Sequence, residues 1–295
     1  MLPALLEALR PKQWTKNGVL FAALVFDVQL YPFYHDPLPT LRTLAGFALM
    51  CLLSSTVYLV NDLADLDKDR QHPAKRSRPI ASGRLSRSAA VAAALVLPLV
   101  ALPLCFWLDW RFGLIALLYL VKDLLYSLWL KQVAIIDVLL VALGFLLRVG
   151  AGVVIITVAR FSPWLYICMG LLALFMGFGK RRAELALMNN GAGETRAVLK
   201  EYSLPFLDEM INLVSTATLI AYSLYTFSAP NLPENHTMML TIPFVLYTIL
   251  RYLYLIHMKG EGGAPDELVL TDRPLQITFI LWGLSVILIM YLNPR

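Results

Sequence analysis

The sequence predicts an all-α, polytopic membrane protein of about nine transmembrane helices, and three observations predict it. Hydrophobic residues make up 59% of the 295-residue chain and charged residues only 15%, where soluble domains average about a quarter charged. The apolar residues fall into runs of membrane-spanning length rather than into a short amphipathic period. Lysine and arginine alternate between rich and poor loops, as the positive-inside rule requires of a multi-pass chain.

The expected spans are, in order, 16–33, 41–62, 86–108, 112–128, 133–156, 161–180, 207–228, 237–257 and 274–292. The first carries Asp27 and must itself direct insertion, because Glu7, Arg10, Lys12 and Lys16 interrupt the start and no signal peptide is visible. The fourth is short enough to be tilted or partly interfacial. Twenty of the 25 Lys and Arg fall before residue 18 or in 63–88, 122–131, 180–206 and 251–273. That asymmetry puts the N-terminus and these loops in the cytoplasm and calls for an odd number of spans. The long charged loops follow spans 2 and 6, four helices apart, which hints at two related four-helix units without a clear sequence repeat. The chain reads as one domain, 1–295, with cap loops at about 63–85 and 181–206.

A net charge of +5 would suggest nucleic acid in a soluble protein; here it means loops facing anionic lipid, and no nucleic-acid partner is expected. Cys51, Cys105 and Cys168 all lie in expected spans with no CxxC spacing, so they read as small apolar side chains. No Walker loop, Rossmann glycine pattern, HExxH or nucleophile elbow is present.

The most informative stretch leaves span 2: YLVNDLADLDKDRQHPAKRSRPIASGR, residues 58–84. It holds Asp62, Asp65, Asp67 and Asp69 within eight positions, then Arg70, Lys75, Arg76, Arg78 and Arg84. On a continuous helix Asp62 and Asp69 are about 20° apart and Asp65 about 60° to one side. Asn61 lies near the same face and Asp67 points elsewhere. Three carboxylates on one face repel unless a cation sits among them. Hard oxygens with open positions suit Mg²⁺, which keeps waters and takes a substrate phosphate. The bland alternative is a solvated acidic helix end paired with the cations after it.

Four further constellations stand out. Lys180-Arg181-Arg182-Ala-Glu184 ends span 6, either as a positive-inside anchor or as a clamp for an anionic group. RPKQWTKN, residues 10–17, places Gln13 and Asn17 on one face beside Lys16, which suits a phosphate head group; Trp14 with the cations equally suits an interfacial belt. Between Lys122 and Arg148, Tyr126 aligns with Lys122 and Lys131 opens the next span. Asp137 and Arg148 there are ionisable groups inside a span, which suggest a functional cavity or, for Asp137, a partner on a neighbouring helix. Pro265-Asp266-Glu267 with Asp272-Arg273 precedes the last span, as a polar contact or a helix cap.

The NDxxDxxxD pattern of Asn61, Asp62, Asp65 and Asp69, leaving the second of about nine spans, resembles the UbiA superfamily of intramembrane prenyltransferases. RPKQWTKN, YSLWLKQVAIIDV, GFLLRVGAG, GKRRAEL and the final DR-x-LQ narrow the likeness to its decaprenyl-phosphate phosphoribosyltransferase branch, over essentially the whole chain. The resemblance implies a ring of helices around a polar cavity open to the cytoplasmic face. It also implies Mg²⁺-dependent transfer of phosphoribose from 5-phosphoribosyl diphosphate to a polyprenyl phosphate, releasing diphosphate. On that reading Asp62, Asp65 and Asp69 hold the metal, and Asn61, Lys75, Arg76, Arg78, Tyr126 and Lys131 hold the donor. Gln13, Lys16, Asn17, Lys180, Arg181, Arg182 and Glu184 receive the lipid phosphate. Related aromatic prenyltransferases carry a second aspartate-rich motif after span 6; GKRRAELALMNN stands there instead. The competing readings are a UbiA-type enzyme joining a prenyl diphosphate to an aromatic or small polar acceptor, and a small-solute transporter, whose site would lie nearer the midplane.

Overall fold

A computed structural model describes residues 2–26, 37–71, 75–156, 162–189, 197–229, 232–260, 268 and 271–292. These are helical almost throughout, with no strand among the described residues. The principal helices are α1 (Leu2–Ala8), α2 (Ala22–Phe26), α3 (Leu38–Ala64), α4 (Leu66–Gln71), α5 (Arg87–Leu108) and α6 (Trp110–Leu128). They continue as α7 (Ile136–Ile156), α8 (Pro163–Asn189), α9 (Leu204–Ser228), α10 (Ile242–Met258) and α11 (Arg273–Leu292). Among the described residues seven helical segments are long and apolar enough to cross a membrane, so the protein is multi-pass, but the expected count of nine is not confirmed. The first expected span begins as a 3-10 helix, Pro11–Phe21, running into α2, and Asp27 lies outside the described residues. The fourth is present as α6, whose 19 residues carry Arg111, Lys122 and Asp123, and it is not among those seven.

The chain falls into two compact units, Met1–Lys131 with Leu147–Ala159, and Gln132–Leu146 with Arg160–Arg295. In the first, α3 packs against α5 and α6. Lipid offers no hydrophobic drive between helices, so close packing relies on small residues. Ala90, Ala94 and Ala101 of α5 are buried while Leu95, Leu99 and Trp107 face outward. Gly152 of α7 shows the closest approach: a Cβ there would meet the Leu20 carbonyl oxygen at 2.1 Å. Ser86 caps α5 through Ala89 N at 3.3 Å, and Asp109 caps α6 through Arg111 N at 2.7 Å. Pro98 and Pro103 sit inside α5, tolerated as prolines are in spans whose backbone finds other partners. Ala4 and Ala8 of α1, with Leu9 just after it, cluster with Leu59, Leu66, Ile80 and Leu85.

In the second unit α8 packs on α9 and α10 on α11. Its core gathers Phe175, Phe178, Leu207, Ile211 and Tyr252. Asp272 caps α11 by accepting from Leu275 N at 3.0 Å and from Arg251 Nη2 at 2.8 Å. Of the polar stretch before this helix, Pro265, Asp266 and Glu267 lie outside the described residues.

Candidate active site

In the first unit α3 ends at Ala64, Asp65 leaves helical geometry at φ −98° and ψ 12°, and α4 resumes at Leu66. Backbone bonds from Asp65 N to Asn61 O (2.9 Å) and from Asp69 N to Asp65 O (2.8 Å) carry the helical spacing across this break. Asp62 and Asp69 therefore turn to the same place, both 3% exposed. One nitrogen of Arg78 bridges them, at 3.1 Å from Asp62 Oδ1 and 2.7 Å from Asp69 Oδ2. Arg10 donates to the same Asp62 oxygen and stacks over the Tyr58 ring at 4.9 Å.

Asp65 does not join them. Its carboxylate accepts from Lys131 Nζ at 2.9 Å. Among the described residues no three acidic, His or Cys groups converge as ligands for one ion. The single face holding all three aspartates is thereby corrected to a converging pair, Asp62 and Asp69, with Asp65 one turn away on its own cation. The pair offers a hard divalent ion buried oxygen donors, which are here balanced by two guanidinium groups, Arg10 and Arg78. Asp67 is open to solvent beside Arg70.

Arg10 belongs to this cluster and sequence reasoning left it out. It adopts φ 53° and ψ 62°, the left-handed region, immediately before Pro11. A residue before proline ordinarily stays extended, so nothing local marks this turn.

The rest of RPKQWTKN points inward more than expected. Asn17 is fully buried: its amide nitrogen donates to Ser54 Oγ at 3.2 Å and its oxygen accepts from Arg148 Nε at 2.7 Å. That use of both amide ends corrects its assignment to the lipid phosphate. Trp14 is half-buried and its indole donates to Ser55 Oγ at 3.0 Å. Gln13 and Lys16 are half-buried. Arg148 also donates to Tyr119 Oη at 2.7 Å and stacks over that ring. Lys122 is buried against Asp123 at 2.7 Å. Asn61, Lys75 and Tyr126 are half-buried, and Arg76 is exposed in the turn Lys75–Ser77.

The second unit has its own bridged acids. Arg181, 4% exposed, donates to Asp137 Oδ2 and to Glu184 Oε2, both at 2.6 Å. Tyr202 donates to the other Asp137 oxygen at 2.7 Å and accepts from Ile135 N at 2.6 Å. Burial pushes the Tyr202 phenol's pKa up, so it remains a proton donor. Arg182 pairs with Asp208. One expectation is corrected here: Arg181 is held between Asp137 and Glu184 rather than presented to a phosphate. Lys180 is half-buried. Asp137 takes the role of partner to a neighbouring helix, α8.

A model of the UbiA prenyltransferase family matches residues 19–265. The chain belongs to the UbiA prenyltransferase family. It is similar to the decaprenyl-phosphate phosphoribosyltransferases of Mycolicibacterium smegmatis, 34% identical over 96% of this chain and 91% of that protein, and of Corynebacterium glutamicum, 33% identical over 98% and 87%. Among solved structures, a UbiA homolog from Archaeoglobus fulgidus bound to DMAPP and Mg²⁺ superposes with a TM-score of 0.70 at 18% identity, covering 97% of this chain and 98% of that one. That likeness shows the UbiA fold.

Proposed function

We propose that this UbiA-family chain transfers 5-phosphoribose from 5-phosphoribosyl diphosphate to a polyprenyl phosphate of the decaprenyl type, releasing diphosphate at the cytoplasmic face. The observation that carries the reading is the alternation of buried acids and guanidinium groups around Asp62, which suits an anionic donor delivered with a metal. The excess of Lys and Arg before residue 18 and in 63–88 supports the cytoplasmic side.

Asp62 and Asp69 would hold the ion, with Asp65 supplying an outer contact. A bound Mg²⁺ neutralises the charge that builds on a departing diphosphate. Arg78, Arg10 and Lys131 provide fixed positive charge for the remaining phosphate oxygens, and their half-buried setting makes each worth more than in water. The lipid phosphate oxygen is already anionic near neutral pH, so the acceptor needs no strong general base. What it needs is positioning beside a second anion, the task of the half-buried Lys16 and Gln13.

Detergent-purified protein given Mg²⁺, 5-phosphoribosyl diphosphate and a polyprenyl phosphate should release diphosphate only when the lipid monophosphate is present. Asp62→Asn should lose on the order of a thousandfold in rate, as when charge stabilisation at a leaving group is removed. Turnover only with a prenyl diphosphate and an aromatic acceptor would replace this reading.

A further inference from the structure

We propose that Arg10 and Arg78 act as internal counter-cations that must leave the acids when a divalent ion binds and then serve the incoming diphosphate, so that metal and diphosphate bind as a coupled pair. The inference rests on the metal site assigned above and adds an exchange of partners within it. Asp62 Oδ1 already accepts two guanidinium hydrogen bonds, and Asp69 Oδ2 accepts a third at 2.7 Å. A divalent ion taking these oxygens directly needs the lone pairs the arginines occupy. The site is neutral as it stands, two carboxylates against two guanidiniums. Adding the ion alone leaves two excess positive charges in a region where both acids are 3% exposed, a costly state. A diphosphate arriving with the ion cancels that excess and offers the displaced guanidiniums new oxygens, for which their planar forks are suited.

The two arginines are placed for such an exchange. Each keeps 28% of its side chain exposed, unlike the acids they hold. Arg10 stands on a left-handed backbone, φ 53°, which costs an L-residue and persists only when its surroundings compensate. Its bond to Asp62 and its stacking on Tyr58 supply that compensation. Arg78 follows the turn Lys75–Ser77, outside the long helices, where a small backbone shift can move its head group.

The test is Mn²⁺ binding to full-length protein in detergent, by paramagnetic resonance, with and without inorganic diphosphate. Wild type should bind Mn²⁺ weakly alone and on the order of a hundredfold more tightly with diphosphate, a coupling of the size usual between linked sites. Arg78→Gln and Arg10→Gln should each tighten Mn²⁺ binding in the absence of diphosphate by roughly tenfold, the scale of removing one competing charge. Both should lose most of the enhancement by diphosphate. Should a glutamine variant fail to fold, Arg78→Lys and Arg10→Lys, which keep the charge but lose the fork, should show a smaller loss of coupling. Unchanged or weaker Mn²⁺ binding without diphosphate in the glutamine variants, or wild-type coupling in the lysine variants, overturns the exchange. Failure of the underlying site reads differently: wild type and Asp62→Asn would then bind Mn²⁺ equally, with or without diphosphate.

Discussion

Each unit of this protein has an arginine wedged between two carboxylates near the end of a long helix, and the two arrangements differ in what surrounds them. In the first, Arg78 joins Asp62 and Asp69 with 28% of its side chain open, and a second arginine shares the load. In the second, Arg181 retains 5%, Asp137 none, and the Tyr202 hydroxyl closes the remaining carboxylate oxygen. The guanidinium of the three-charge motif is thus partly open to solvent in one place and sealed in the other. An ion pair that solvent can reach can trade partners at small cost, whereas a buried one pays the full desolvation penalty for any partner lost.

The comparison breaks most visibly on removal of each arginine. Arg181→Met would strand the fully buried Asp137 inside the second unit, at about 3–5 kcal/mol. For a chain of this size that corresponds to a fall of about 5–8 °C in unfolding temperature. Arg78→Met leaves the buried Asp69 without its guanidinium, but Arg10 stays on Asp62 and solvent reaches the place Arg78 held, so the cost should be smaller, about 1–2 kcal/mol. Thermal unfolding of both variants in one detergent is the measurement. Equal losses would mean that the two bridges are the same kind of structure.

How much of this was legible in the residues follows the same divide. Periodicity that repeats every turn is visible in sequence, so the convergence of Asp62 and Asp69 could be anticipated from spacing, whereas the bridging of the two by Arg78 could not. The multi-pass, all-helical class followed from apolar run length. What spacing could not give were partners brought from distant segments: Arg10 lies 52 residues from Asp62, and its left-handed turn has no glycine to announce it. Asn17 was misread because an amide suited to a phosphate is equally suited to a buried arginine, and only Arg148, 131 residues away, decides between them. Arg181 was misread for the same reason, since Asp137 carries no sign of which helix it faces.

Tyr202 sharpens the contrast by asking how far the sealing matters. Its hydroxyl serves both Asp137 and the amide of Ile135, a β-branched residue at φ 68°. Tyr202→Phe removes a donor from a buried carboxylate and an acceptor from a strained turn, leaving both unsatisfied at roughly 2 kcal/mol. The expected drop in unfolding temperature lies between those of the two arginine variants. A drop no larger than that of Arg78→Met would show that Arg181 alone secures Asp137.

The smallest effect concerns an ion pair at a helix start, Arg251 with Asp272, which serves as the open reference for both bridges. The hydrogen bond from Arg251 holds the Asp272 carboxyl below its ordinary range, burial opposes this, and the Leu275 amide adds to the lowering. A carboxylate with a depressed folded-state pKa contributes its full stabilisation above the unfolded value, about pH 4, and loses it as pH falls through the lower folded value. The stability difference between wild type and Asp272→Asn should therefore be flat between about pH 5 and 8 and shrink toward zero below about pH 4. Added salt should diminish it further, because this pair is partly open to solvent. The Arg181 bridge, shielded from the same ions, should keep its contribution at a salt concentration that removes most of this one; loss of both in parallel would erase the distinction between sealed and open pairs.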